Sequence, residues 1–309
     1  MKDFPHISVL GEGHHPCVFD VLLPEKGNKV LDATLGLGGH AESFLRTIGP
    51  SGHLYAIDAD QDNLDTAKAR LSIYGGNVTY FHTNFRNTFH LELPPLDIIF
   101  ADLGLSSPHL DDASRGFTFH EDAPLDMRFD KLKGQSAAEM LSSSSEEDIA
   151  FMLVRYGEVR GYRRLASALY QELRRGGGLA TTGALRRIVE RVYGYKANIV
   201  LPQVFQAFRI AVNDELGALQ QFITDAPALL KEGGRMGVIS FHSLEDRMVK
   251  REFKRLSAPK MDERTGAISE KASFSILTKK PVAPSLSEIA QNPRARSAKF
   301  RAIVREHSA

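Results

Sequence analysis

Four short runs rich in β-branched and aromatic residues recur through the first hundred residues: KVLDATLG from Lys29, HLYAIDAD from His53, VTYFHTNF from Val78 and LDIIFADLG from Leu96. Helix-compatible stretches separate them. HAESFLRTIG follows the first run, and QDNLDTAKARLSIYGG follows the second and ends on two glycines, as a helix C-terminus does. Strands alternating with helices call for a parallel sheet with right-handed crossovers, so the expected fold class is α/β with a doubly wound sheet. Ile98-Ile99-Phe100-Ala101 is apolar without alternation, which suits a strand covered on both faces.

The alternation stops after Gly104. The next strand-like run, RMGVISFHS, begins at Arg235 with 130 residues between, far more than a crossover needs. The gap is read as an inserted, mostly helical domain, 111–207, within a core made of 1–110 and 208–309. Ser145 stands three residues before Asp148, a capping-box spacing, ahead of Ile149, Leu153 and Tyr156 at helical intervals. Further helices are expected at YRRLASALYQELRR and GALRRIVERVYG, where Leu185, Ile188, Val189 and Val192 share a face. AVNDELGALQQFI reads as a helix returning to the core, and KEGGR as the turn into the late strand. Residues 247–309 read as a partly irregular basic tail.

A net charge of +1 conceals a polarity along the chain. Residues 1–150 carry 11 Lys and Arg against 23 Asp and Glu, whereas residues 151–309 carry 28 against 15. Nine arginines and no lysine lie between Arg155 and Arg191. Guanidinium forks suit bidentate contact with phosphate, so one reading is a basic half facing a polyanion; the other is a solvated helical face with Glu partners. No apolar run reaches the ~18 to 20 residues of a membrane span, and the N-terminal residues lack the apolar core of a signal peptide, so a cytoplasmic location is expected. A single cysteine, Cys17, agrees with a reducing compartment, and HHPC lacks the spaced ligand pairs of a zinc site, so no metal is expected.

Between the first strand and its helix, Gly36-Leu37-Gly38-Gly39-His40-Ala41 satisfies the dinucleotide fingerprint G-x-G-x-x-G/A. Missing side chains let such a turn tighten and bring backbone close to a ligand beyond the strand ends. Asp58, 22 residues after Gly36, ends the second strand, where a carboxylate can accept from both hydroxyls of a ribose. Asp32 separates the ligand classes. A carboxylate just ahead of the glycines repels a pyrophosphate but attracts the sulfonium and ammonium of S-adenosylmethionine (AdoMet). A cap on the turn is its other reading. Asp102 ends the fourth strand, next to the place of the transferable methyl group in AdoMet-dependent enzymes. Enzymes that methylate exocyclic amines carry D/N/S-P-P-Y/F/W there; Asp102-Leu103-Gly104-Leu105 shares only the acid. A carboxylate accepting the N–H protons of such an amine localises its lone pair for attack.

The block ADLGLSSPHLDDASRGFTFHEDAPLDMRFDKLKGQSAAEML stands with HISVL, DATLGLGGH, FQAFRIAVNDEL, GGRMGVISFHSLEDRMVK and NPRARSAKFR, in order between residues 6 and 301. Together they resemble the bacterial small-subunit ribosomal RNA cytosine N4-methyltransferases, the MraW (RsmH) family. The resemblance implies a Rossmann-like class I AdoMet-dependent methyltransferase sheet with an inserted helical substrate-recognition domain. It further implies AdoMet as cofactor and 16S ribosomal RNA, or the small ribosomal subunit, as partner, with methylation of the N4 amine of a decoding-centre cytosine. Monomer and homodimer are left open.

Carried onto this chain, the family's AdoMet contacts fall on Gly38, Gly39, His40, Asp58, Phe85 and Asp102, beside Asp32 and Gly36 from the loop reading. His109 stands where the family has Gln, with one donor and one acceptor in place of an amide. Asp102, Ser106 and His242 are the candidate catalytic residues, and Ser240, His242, Glu245 and Arg247 the candidate lining of a cytosine pocket. Ser243 as the cap of a helix is the structural alternative there. Arg115 and Arg128 are expected to order a loop or meet RNA, and Arg163, Arg164 and Arg247 to meet RNA. The competing functions are an NAD-dependent dehydrogenase and a non-enzymatic ribosome assembly factor.

Overall fold

The computed structural model describes residues 8–176, 178–261 and 268–307; His6 and Ile7 of the HISVL motif lie outside them. The chain forms two compact units, Met1–Gly104 with Ala218–Ala309, and Leu105–Gly217. The first unit opens with α1 (Val18–Leu22), β1 (Lys29–Asp32), α2 (Gly39–Ile48), β2 (His53–Asp58), α3 (Gln61–Leu71), β3 (Val78–His82) and β4 (Leu96–Asp102). The second holds α4 (Ser107–Asp111), α5 (Ala137–Ser143), α6 (Glu146–Arg155), α7 (Tyr162–Arg174), α8 (Thr182–Tyr193) and α9 (Ala197–Asn213). The chain returns through α10 (Glu215–Asp225) to β5 (Leu230–Ser240), α11 (Ser243–Leu256) and a small hairpin of β6 (Lys260–Met261) and β7 (Ile268–Glu270). It ends with β8 (Phe274–Ile276), α12 (Leu286–Gln291) and β9 (Lys299–Arg305).

The sheet has the order β3-β2-β1-β4-β5-β9-β8. The first five strands run parallel, β9 runs antiparallel to β5, and β8 antiparallel to β9. The α/β, doubly wound plan required by the strand–helix alternation is therefore present, with one reversed strand let in near an edge. Side chains alternate between two apolar layers. Val30, Phe44, Leu54, Phe100 and Phe300 belong to one, and Leu31, Ile57, Ile99, Phe222 and Met236 to the other. Because both faces are covered, β4 is apolar without alternation from Ile98 to Ala101, between Asp97 and the Asp102 at its carboxyl end.

Two expectations need correcting. KEGGR is a bulge within β5 rather than a turn before it: Leu230 pairs with Leu96 and Arg235 with Ile98, so the residues between bow out, helped by Gly233 at φ 77°. Residues 247–309 are also more ordered, among the described residues, than a partly irregular tail, since they hold most of α11, the β6–β7 hairpin, β8, α12 and β9. In KFRAIVR the basic residues obscure a strand whose Phe300, Ala302 and Ile303 are wholly buried.

The second unit is built as its helical periodicity requires. Ser145 caps α6, its Oγ accepting the Asp148 N–H at 3.1 Å while Asp148 accepts the Ser145 N–H at 3.0 Å. Leu153, Leu165, Leu169, Leu185, Val189, Val204 and Phe208 are fully buried together, each contributing roughly 1.5–3 kcal/mol of transfer free energy. Its bounds are wider than 111–207, since α9 runs on to Asn213 and buries Ile210, and α4 lies on the near side. Among the described residues no helix is long and apolar enough to cross a membrane.

Candidate active site

The carboxyl ends of β1, β2 and β4 bring Asp32, Asp58 and Asp102 to one edge of the sheet, around the glycine loop. Gly36 (φ 52°) and Gly38 (φ 79°) both occupy left-handed backbone. Gly38 is the residue before α2, and a Cβ there would press on Ala67 and Leu71 of α3 at 3.4 Å. At Gly36 the space a Cβ would fill is open, a surface of bare backbone. The loop is held from two sides: Gly36 N–H donates to Asp58 Oδ2 at 2.7 Å, and Asp102 N–H donates to Thr34 Oγ1 at 2.6 Å. The Thr34 tie was not anticipated, because a Thr after a strand has no pattern that sets it apart.

Asp58 also accepts the Asp60 N–H at 2.8 Å, so it positions the loop and α3 in addition to any ribose contact. Asp32 is buried and accepts the Thr34 N–H at 3.2 Å, so the turn-capping reading holds for its geometry. Burial, with the charge of Asp58, pushes its carboxyl up to about 7. Asp102 is pushed well above the usual carboxylate range by burial and then by Asp32 and Glu245. Its side chain keeps 23% of its surface while Oδ1 is enclosed, with no hydrogen-bond partner among the described residues. Three acids, two of them disfavoured in their charged forms, make a site that a cation would stabilise.

The remaining candidates divide. His40, at the start of α2, is buried; its Nε2 lies 2.9 Å from the Val9 carbonyl and its Nδ1 3.6 Å from Asp102 Oδ2. Phe85, in the turn Phe85–His90, packs edge-on against Phe222 at 5.3 Å, the ordinary core role of an aromatic. His242 is the N-cap of α11, a position expected of Ser243: its Nδ1 accepts the Glu245 N–H at 3.4 Å, and Glu245 Oε2 accepts the Phe241 N–H at 2.8 Å. One ring nitrogen is thereby engaged at the helix start, and the other, Nε2, lies 3.2 Å from Glu245 Oε1. Ser240 Oγ donates to the Lys299 carbonyl, tying β5 to β9, and Arg247 is exposed on α11.

Ser106, His109, Arg115 and Arg128 belong to the second unit, where each makes contacts that order its own segment. Ser106 N–H and Oγ lie 3.3 and 3.0 Å from His109 Nδ1, closing the cap of α4. The His109 ring is buried against Phe117 and Phe129 at 5.0 and 5.3 Å. Buried Arg115 donates to the carbonyls of Arg128 and Phe129, and Arg128 grips Asp126 through Nε and Nη2 at 2.8 and 2.7 Å. Asn213, which the sequence reading passed over, donates to the Met127 carbonyl and accepts the Phe129 N–H. The RGF and PLDMR segments therefore specify a folded loop, and both guanidinium groups help to order it. All nine arginines from Arg155 to Arg191, including Arg163 and Arg164, are exposed; Arg186 pairs with Glu190 and Arg191 with Glu172.

His15, Cys17 and Asp20 also meet, with donor atoms within 4.8 Å. The Asp20 carboxylate there accepts the Cys17 N–H at 2.9 Å and touches His15 Nδ1 at 3.0 Å, so the cap of α1 accounts for the gathering.

Residues 3–306 match the model of the MraW methylase family. The chain belongs to that family. It is 42% identical over 307 residues to ribosomal RNA small subunit methyltransferase H of Sorangium cellulosum, covering 97% of this chain and 90% of that one. It is 37% identical over 310 residues to the protein of the same name from Clostridioides difficile, covering 97% and 98%. A solved rRNA methylase from Streptococcus thermophilus is similar at 13% identity and TM-score 0.38 over 93% of this chain and 91% of that one, too distant to carry an argument.

Proposed function

We propose that this chain transfers a methyl group from AdoMet to the exocyclic N4 amine of a decoding-centre cytosine in 16S ribosomal RNA. One observation carries the cofactor. Asp32, buried, and Asp102, half-buried, are acids whose charged forms are disfavoured, grouped with Asp58 about a bare-backbone loop, and Asp102 Oδ1 is enclosed without a partner among the described residues. A cationic ligand relieves that arrangement, whereas the pyrophosphate of NAD would meet three carboxylates and find the Gly36 N–H already given to Asp58. The residues present thus fit AdoMet: Gly36, Gly38, Gly39 and His40 as backbone cradle, Asp58 toward the ribose, and Asp32 and Asp102 toward positive charge.

AdoMet supplies an electrophilic methyl carbon on a sulfonium. The protein's share is position and electrostatics. Asp102, at the end of a strand buried on both faces, holds an acceptor for the amine N–H. The family and the names of its relatives support ribosomal RNA as substrate, and the exposed arginines of the second unit support phosphate contact. The base has to leave its stack, at a cost of a few kcal/mol that those contacts offset. The test is transfer of label from tritiated AdoMet to small subunits or their RNA, followed by nucleoside mass mapping. N4-methylcytidine is the expected product; label at another atom or in no RNA refutes the reading. Retained RNA binding without transfer would favour the assembly factor.

A further inference from the structure

The contact between His40 and Asp102 has a proton inventory that the geometry fixes. The Val9 carbonyl can only accept, so His40 Nε2, 2.9 Å away, carries a hydrogen. In the neutral ring Nδ1 then turns a lone pair toward Asp102 Oδ2 at 3.6 Å. Two lone pairs face each other just beyond hydrogen-bond range, and a proton on either atom turns their repulsion into attraction. Val9 is itself anchored: the next N–H, of Leu10, donates to the wholly buried Glu288 at 2.6 Å. The ring is further set by Phe100, 4.7 Å away. The charged groups acting on Asp102 are Asp32 from β1 and Glu245 from α11, both acidic, with Asp58 of β2 acting on Asp32.

We propose that Asp102 receives the proton that the substrate amine loses on methylation, and that His40 is the positioning residue that shares it. The inference rests on the amine-methylation reading above. The amine nitrogen gains a bond to the methyl carbon, and the carbon–sulfur bond breaks with its electron pair left on sulfur. The amine's N–H proton passes to the Asp102 carboxylate and is held on Oδ2, facing the lone pair of His40 Nδ1. One positive and one negative charge disappear together. Once the sulfonium is gone, the charges acting on Asp102 among the described residues are again those of Asp32 and Glu245, both acidic, and it holds a proton tightly.

The experiment uses the full chain. Nitrogen-15 histidine spectra of the ligand-free protein are expected to show the Nε2–H form of His40 at pH 8, with a titration that moves on Asp102→Asn. His40→Gln keeps an amide donor for the Val9 carbonyl and removes the basic nitrogen. At saturating AdoMet its single-turnover rate is expected to fall on the order of 10- to 100-fold near pH 7 and recover toward high pH, with the affinity for S-adenosylhomocysteine changed by less than about threefold. A His40→Gln enzyme with the wild-type rate and pH profile overturns the proposal, as does a His40 titration indifferent to Asp102→Asn. Absence of transfer by the wild type counts against the methylation reading alone, because the histidine spectra still decide the pair.

Discussion

Asp32 shows how a single residue sets function against stability. Its carboxyl rises from 3.8 to about 7 on folding, chiefly through burial. A raised carboxylate stabilises the fold fully below its unfolded value and loses that contribution as pH rises through about 7. At ~1.36 kcal/mol per pH unit the ionised form costs the ligand-free protein on the order of 4 kcal/mol at pH 8. Asp32→Asn keeps an acceptor for the Thr34 N–H, so urea denaturation at pH 8 should show a more stable protein with a flatter pH dependence between 4 and 7. The same variant should bind AdoMet at least about tenfold more weakly, because a desolvated countercharge is gone. Wild-type AdoMet affinity should itself tighten from pH 6 to pH 8, since below about 7 binding must expel the Asp32 proton. Calorimetry at several pH values checks this, and S-adenosylhomocysteine, without the sulfonium, should respond less. A flat profile for AdoMet would remove Asp32 from donor binding.

At the scale of elements, two helix starts carry the site. Gly38 precedes α2 in left-handed backbone, and a methyl group there would meet Leu71 and Ala67. Gly38→Ala should cost about 1–2 kcal/mol of stability from the backbone conformation alone, and donor binding with it. The start of α11 depends on the His242 cap and its reciprocal Glu245. His242→Ala is expected to lose about 1 kcal/mol, and His242→Asn, which can still cap, to regain most of it; chemical denaturation of both measures the cap, and a transfer rate that fails to recover in His242→Asn would mark a catalytic share. These elements were unequally legible. Strand ends, the glycine turn and the Ser145 cap follow from local chemistry, so they could be read directly. The role of His242 could not, since SFHSLEDR offers Ser and His as rival caps one residue apart, and only the chain direction out of β5 chooses between them.

At the scale of the molecule, the second unit presents the nine arginines from Arg155 to Arg191 to solvent, while Arg115 and Arg128 help to order its motif loop. Replacing both Arg163 and Arg164 by Ala should therefore weaken RNA binding and lower the salt slope by about 2, with AdoMet binding untouched, as filter binding across a salt series would show. Equal salt slopes would place the RNA elsewhere. The sequence by itself determined the doubly wound plan, the helical insertion, the glycine loop and the three strand-end acids, because periodicity, turn chemistry and strand termini are local properties. Only the tertiary structure decided which polar side chains are spent on the fold. Whether Ser106, His109, Arg115, Arg128 and His242 face a ligand or satisfy buried backbone depends on partners far along the chain, such as Asn213 for the Met127 carbonyl. The meeting of His40 with Asp102, 62 residues apart, likewise exists only once β1 and β4 lie side by side.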